Sequence, residues 1–182
     1  MNNRERAIEI FEIEIQRQCV IFFSSVEYLK ECFNPEKRDQ TQNIWYHVQS
    51  FLTSSANISR LLWGSYTKDY AKNKLRKELR KELREKLGVS EGSTLKSRKM
   101  RNLFEHFDEH IEEWATQPNS YSNYVDSNIG PKSAISVEGL NENQYLRHFD
   151  PSTGIITYQS YEYDMNEIAN EIYKIYTENF AK

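Results

Sequence analysis

A chain of 182 residues is long enough for one domain with a sizeable core and short of two clear ones. Its 28% charged and 13% aromatic content excludes a disordered polymer, and a formal charge of −3 excludes a whole-molecule field that draws in nucleic acid. Any RNA contact therefore has to come from a local basic patch. No apolar run approaches the roughly 18 residues needed to span a bilayer, and the charged start Met-Asn-Asn-Arg-Glu-Arg lacks a signal-peptide core. At roughly 1.5 Å per residue, Cys19 and Cys32 on one helix would sit about 20 Å apart, too far for a disulfide. A reduced cytoplasm is the expected location.

Residues 3 to about 33 read as a first long helix. Ile8, Phe11, Ile15, Cys19, Phe22, Val26 and Leu29 form one stripe, and Ile10, Ile13, Val20, Ile21 and Phe23 widen it, so the spacing predicts contact on two sides: two neighbours, or a neighbour and another subunit. Asn34-Pro35 ends it. A second helix is predicted from about Asp39 to Trp63, with Ile44, Val48, Phe51, Leu52, Ser55 and Leu62 inward and Gly64 as its stop. The third, Lys68 to Leu87, carries Leu75, Leu79, Leu83 and Leu87 in steps of four, with opposite charges paired at the same spacing and Gly88 behind it. Eight Lys and Arg between Lys72 and Lys86 make it the most basic segment, able to follow a phosphate backbone or simply to face solvent.

From Leu95 to Trp114 the apolar residues Met100, Leu103, Phe104, Phe107, Ile111 and Trp114 recur at three- and four-residue steps, which predicts a fourth helix capped by Ser93 or Thr94. Its other face holds Arg101, Asn102, Glu105, His106, Glu109 and Glu113. Gln117-Pro118-Asn119-Ser120 ends it, and 119 to about 143 reads as a polar loop whose Tyr121 and Tyr124 could stack on bases. Gln144–Phe149 and Ile155–Ser160 flank Asp150-Pro151-Ser152-Thr153-Gly154, a hairpin signal. Asp164 is placed to cap a last helix with Met165, Ile168, Ala169, Ile172, Ile175 and Tyr176 inward. The fold class expected is mainly α, an up-and-down bundle of four to five helices with a small C-terminal β-hairpin. Its divisions are a bundle over 1–116, a long loop over 117–143, and a hairpin plus helix over 144–182 packed on the same domain.

Arg101 and His106, with Asn102 directly after the Arg, match the Arg-polar-x3-His signature of HEPN domains. The run Arg-Asn-Leu-Phe-Glu-His-Phe-Asp-Glu-His resembles the motif helix of bacterial HEPN-like proteins, and the resemblance covers roughly residues 1–116. It implies a homodimeric, metal-independent endoribonuclease without a cofactor, in a toxin or defence setting where an antitoxin or other partner protein is possible. It also implies an alternative, because many HEPN-like domains are non-catalytic nucleotide- or protein-binding modules. In some HEPN toxins a Tyr two residues after the motif His is modified by a partner; here that position is Asp108.

The residue types suit RNA cleavage on their own terms. RNA carries its nucleophile, the 2′-OH, so the enzyme must move protons and stabilise charge on phosphorus-bound oxygens, and the scheme requires no metal. His106 is the candidate acid/base and Arg101 the candidate phosphate ligand, with Asn102 orienting either. Glu105 and Glu109 are candidate supporting groups, and Arg98, Arg60 and Lys96 candidate RNA-binding cations. On a helix, Arg101 and His106 would stand about 140° apart, so one helix does not aim both at one phosphate, whereas a two-fold dimer supplies the second set. His106 and His110, with Glu109 between, also have the i,i+4 spacing of metal ligands, but no Cys or third His lies nearby in sequence.

Overall fold

The computed structural model describes residues 2–32, 41–64, 67–97, 106–116, 124–136, 138, 140, 144–159 and 161–181. Among them it is mainly helical, with a small C-terminal sheet. Two compact units divide the chain, one of residues 1–101 and 168–182, the other of residues 102–167.

In the first unit, α1 (Asn3–Cys32) and α2 (Thr41–Trp63) form the principal helix pair. The predicted stripe of α1 is buried at Ile8, Ile15, Cys19, Phe22 and Leu29, against Val48, Phe51, Ile58 and Leu62 of α2. Phe22 and Phe51 meet with ring centroids 4.5 Å apart. Ser25 Oγ donates to Ser50 Oγ at 2.9 Å and Asn57 Nδ2 to Gln18 Oε1 at 3.2 Å. Moving seven residues back along α1 thus moves seven forward along α2, which makes the pair antiparallel. Ser54, Ser55 and Ala56 are small and buried, so the backbones can approach. The hydroxyls of Ser54 and Ser55 bond carbonyls one turn back, which leaves no unpaired polar group from either. Burial pushes the Cys19 thiol up to about 12 and keeps it protonated.

α3 (Tyr70–Lys86) begins at Asp69, whose carboxylate accepts from Lys72 N, and stops at Gly88 with φ of 67°, a left-handed conformation that costs Gly least. Its leucine seam is buried only in the second half: Leu83 and Leu87 are inside, Leu79 is half-buried and Leu75 is 67% exposed. A single 3-10 turn, Thr94–Lys96, follows, capped by Ser93 Oγ on Leu95 N. The last helix, α5 (Met165–Asn179), begins in the second unit. From Ile168 onward it belongs to the first, where it buries Ile168, Ile172 and Ile175. Phe23 of α1 meets Tyr176 and Tyr173 edge-on at 5.2 and 6.2 Å. Glu171 accepts from Thr94 N and Ser93 Oγ, and Asn179 Nδ2 donates to Leu87 O.

The second unit holds α4 (Phe107–Ala115) and a four-stranded sheet ordered β1 (Asn128–Ile129), β2 (Arg147–Asp150), β3 (Ile155–Tyr158), β4 (Tyr161–Asp164). The predicted hairpin is there: β2 and β3 run antiparallel around the Pro151–Gly154 turn. Two strands were not predicted. β4 pairs antiparallel with β3, and β1 pairs parallel with β2 inside the stretch predicted as loop. Val125 bridges Tyr145, and Asp126 receives Arg147 Nε at 2.7 Å, so the former loop is tied along the edge of β2. The register puts Ile129, Phe149, Ile156 and Tyr163 on one face and Asn128, His148, Thr157 and Glu162 on the other.

The predicted continuous helix from 95 to 114 requires correction. Ser97 has ψ of 118°, an extended value that ends the 3-10 turn, and His106, at φ −123° and ψ 34°, lies just before α4, so neither belongs to one unbroken helix; residues 98–105 of the expected helix lie outside the described residues. The apolar periodicity is present, but none of Phe107, Ile111 and Trp114 is buried, and Phe107 is 48% exposed. An amphipathic pattern propagates a helix only where its apolar face finds a partner.

Candidate functional site

His106 occupies the N-cap position of α4, with φ −123° and ψ 34°, one residue ahead of the helix and not within it. Its ring is 50% exposed, and its Nδ1 lies 3.1 Å from Glu109 Oε1. The three-residue spacing puts the carboxylate on the first turn of α4, where it reaches back to the preceding residue and also meets the helix's positive end. With Nδ1 held by a carboxylate, Nε2 is the ring nitrogen that faces an approaching substrate. Of the sequence-derived supporting groups, Glu109 is therefore brought to His106. Arg98, Arg101, Asn102 and Glu105 lie outside the described residues, as does Tyr121.

The His106–His110 pair shows a repeat of the same local contact and not a shared ligand geometry. His110 Nδ1 lies 3.8 Å from Glu113 Oε2, so each ring is associated with the Glu three residues on, and the carbonyl of His110 accepts from Gln159 Nε2 at 2.9 Å. No group of three His, Cys, Asp or Glu side chains is placed to hold a metal among the described residues. Tyr124, considered for base stacking, is 63% exposed and rests edge-on against Trp114, with centroids 5.6 Å apart.

The remaining cations fall in the first unit. Arg60 is exposed on the last two turns of α2. Lys96 is exposed and bonds Glu91 through Nζ at 3.0 Å, in the wall of a pocket between the end of α2 and α3. That pocket was not foreseen as a site, although the basic run of α3 that lines it was visible in the sequence.

A second buried polar group that the sequence did not single out is His148, on the polar face of the sheet. Asn128 Nδ2 lies 2.8 Å from its Nδ1, and burial, with Lys132 nearby, holds its pKa below the ordinary value against the pull of Asp150 and Glu162. It is 2% exposed, so it serves the sheet and does not reach solvent as an acid or base. Comparisons with known proteins add no relative: no family model, no curated protein and no solved structure matches the chain.

Proposed function

We propose that the protein is a HEPN-like, metal-independent endoribonuclease acting as a homodimer in a toxin or defence setting. The observation that carries this reading is the solvent-facing His106 with its Nδ1 on Glu109. A carboxylate on one ring nitrogen fixes the orientation of the imidazole and stabilises the cation that forms when the other nitrogen takes a proton. In the proposed reaction one His106 removes the proton of a 2′-OH and a second, from the partner copy, protonates the leaving 5′-oxygen. The 2′-oxygen forms a bond to phosphorus as the P–O5′ bond breaks, giving a 2′,3′-cyclic phosphate. Arg101 is assigned to the phosphoryl oxygens and Asn102 to orientation, both by the sequence pattern.

The test is cleavage of mixed-sequence RNA in EDTA. The wild-type protein is expected to leave 2′,3′-cyclic phosphate ends. His106→Ala should reduce the rate by about 10²- to 10⁴-fold, the usual contribution of a positioned acid/base, while Glu109→Gln should lose less. Circular dichroism and sedimentation confirm that each variant folds and associates as the parent does. No cutting of several RNAs by folded, dimeric wild-type protein would replace catalysis with the non-catalytic binding module.

A further inference from the structure

At the C-terminal end of α2 the first unit forms a pocket of about 360 Å³. Among the described residues, six cationic side chains line it, Arg76, Lys77, Arg80, Lys81, Arg84 and Lys96, against one carboxylate, Glu91. Five come from two adjoining turns of α3, where steps of one, three and four residues keep them on one side of the helix. Lys96 comes from the opposite wall.

The fold holds part of this charge in place. Arg80 Nη1 and Arg84 Nη1 donate to the carbonyls of Leu61 and Leu62 in the last turn of α2. The Arg80 guanidinium lies 3.8 Å from the centroid of Phe11, and that of Arg84 5.5 Å from the Trp63 ring. Glu91 accepts from both Arg84 and Lys96. Arg76 and Lys77 have no ion-pair partner among the described residues, and both are exposed. In the wall, Arg80 Nε and Trp63 Nε1 are buried without a hydrogen-bond partner among the described residues. Donors exceed acceptors throughout. Burial, followed by the charges of Arg76 and Arg84, lowers Arg80 to about 10, so the cations crowd one another.

We propose that this pocket binds a compact polyphosphate: two or three linked phosphates, as carried by a nucleoside di- or triphosphate or by inorganic polyphosphate. One orthophosphate would leave most of the positive charge unmatched. A nucleic-acid strand would draw on charge spread along the helix, yet Lys72 and Lys74, exposed farther up α3, do not line the recess. The volume sits at the small end of the range of ligand sites, roughly 300–1,000 Å³. Neither His106 nor Glu109 lines the pocket, and among the described residues it shares only Lys96 with the RNA-cleavage reading.

Calorimetric titration of the full chain with sodium tripolyphosphate, ATP, orthophosphate and a short oligouridylate tests this by binding alone, whatever the outcome of the cleavage assay. Tripolyphosphate should bind one site per chain, and orthophosphate at least about tenfold more weakly. Arg76→Ala with Lys77→Ala should weaken tripolyphosphate by about tenfold or more, through loss of two charged donors. Lys72→Ala with Lys74→Ala removes the same charge from the same helix outside the pocket and should change affinity by less than about twofold. ATP binding well above tripolyphosphate would identify the ligand as a nucleotide, and equal binding would identify the phosphate chain itself. The proposal is overturned by absence of tripolyphosphate binding at millimolar concentration, by equal weakening in the two variants, or by binding of the oligouridylate alone.

Discussion

The neutral form of His148 is built into the sheet. Asn128 donates to its Nδ1, which puts the ring hydrogen on Nε2, and Tyr145 lies edge-on with centroids 5.7 Å apart. A proton added at Nδ1 would set N–H against N–H in a space from which water is excluded. Because the folded pKa lies below the unfolded one, the unfolded chain takes up the proton first as pH falls through about 6.5. The sign follows: stability is full above that pH and declines below it, by at most about 1.4 kcal/mol per pH unit for one proton. Urea unfolding between pH 7.5 and 5 should show this decline, and His148→Gln should flatten it while lowering stability at pH 7.5. His47, also lowered by burial, titrates alike in both proteins and cancels in the difference. Identical slopes would remove His148 as the source.

Asp164 ends β4 and starts α5 with no loop between them. Its Oδ1 accepts from Asn166 N at 2.7 Å and Glu167 N at 3.3 Å, the hydrogen bonds of a helix N-cap. Asp164→Ala should cost about 1 kcal/mol in denaturant unfolding, and Asp164→Ser should recover most of it; equal loss in both would assign the effect to the strand. This cap was legible in the sequence because it is local, as were the glycine stop after α3, the antiparallel hairpin around Pro151, and the stripes of α1 and α2. What the sequence hid is non-local. β1 is two residues long and exists as a strand only because β2 lies beside it. β4 follows a tight turn in which Gln159 takes φ of 54°, without the Asn-Gly or Gly signal that announces such turns. Of the candidate site, the His106–Glu109 spacing was readable, while the non-helical backbone at Ser97 and at His106 was masked by a clean helical period. The basic pocket was half readable: α3 showed its charge, but the carbonyls of α2 and Glu91 that organise it are brought in by folding.

Across the whole molecule, α1 presents a second apolar stripe that no described residue covers. Ile10, Ile13, Val20, Ile21 and Tyr28 are 57%, 42%, 51%, 46% and 54% exposed, and at about 100° per residue they fall within roughly a 100° arc. Scattered exposed apolar residues are ordinary, whereas five within one arc of a 30-residue helix, interrupted by Arg17 and Ser24, make a face of the sort that marks an interface. Full burial of one such side chain is worth about 1.5–3 kcal/mol, so covering the exposed half of five on each of two copies supplies several kcal/mol toward association. A second copy is the partner that the proposed chemistry also demands, since cleavage needs a base and an acid and each chain offers one motif His. Sedimentation at micromolar concentration should then show a dimer. Ile13→Glu with Val20→Glu, both at solvent-facing positions, should give a monomer with unchanged helical circular dichroism. If association and cleavage are one property, RNA cutting should fall with the dimer and return at protein concentrations high enough to restore it. A wild-type monomer that cuts RNA would separate them, and would require the second proton to come from a group other than a partner's His106.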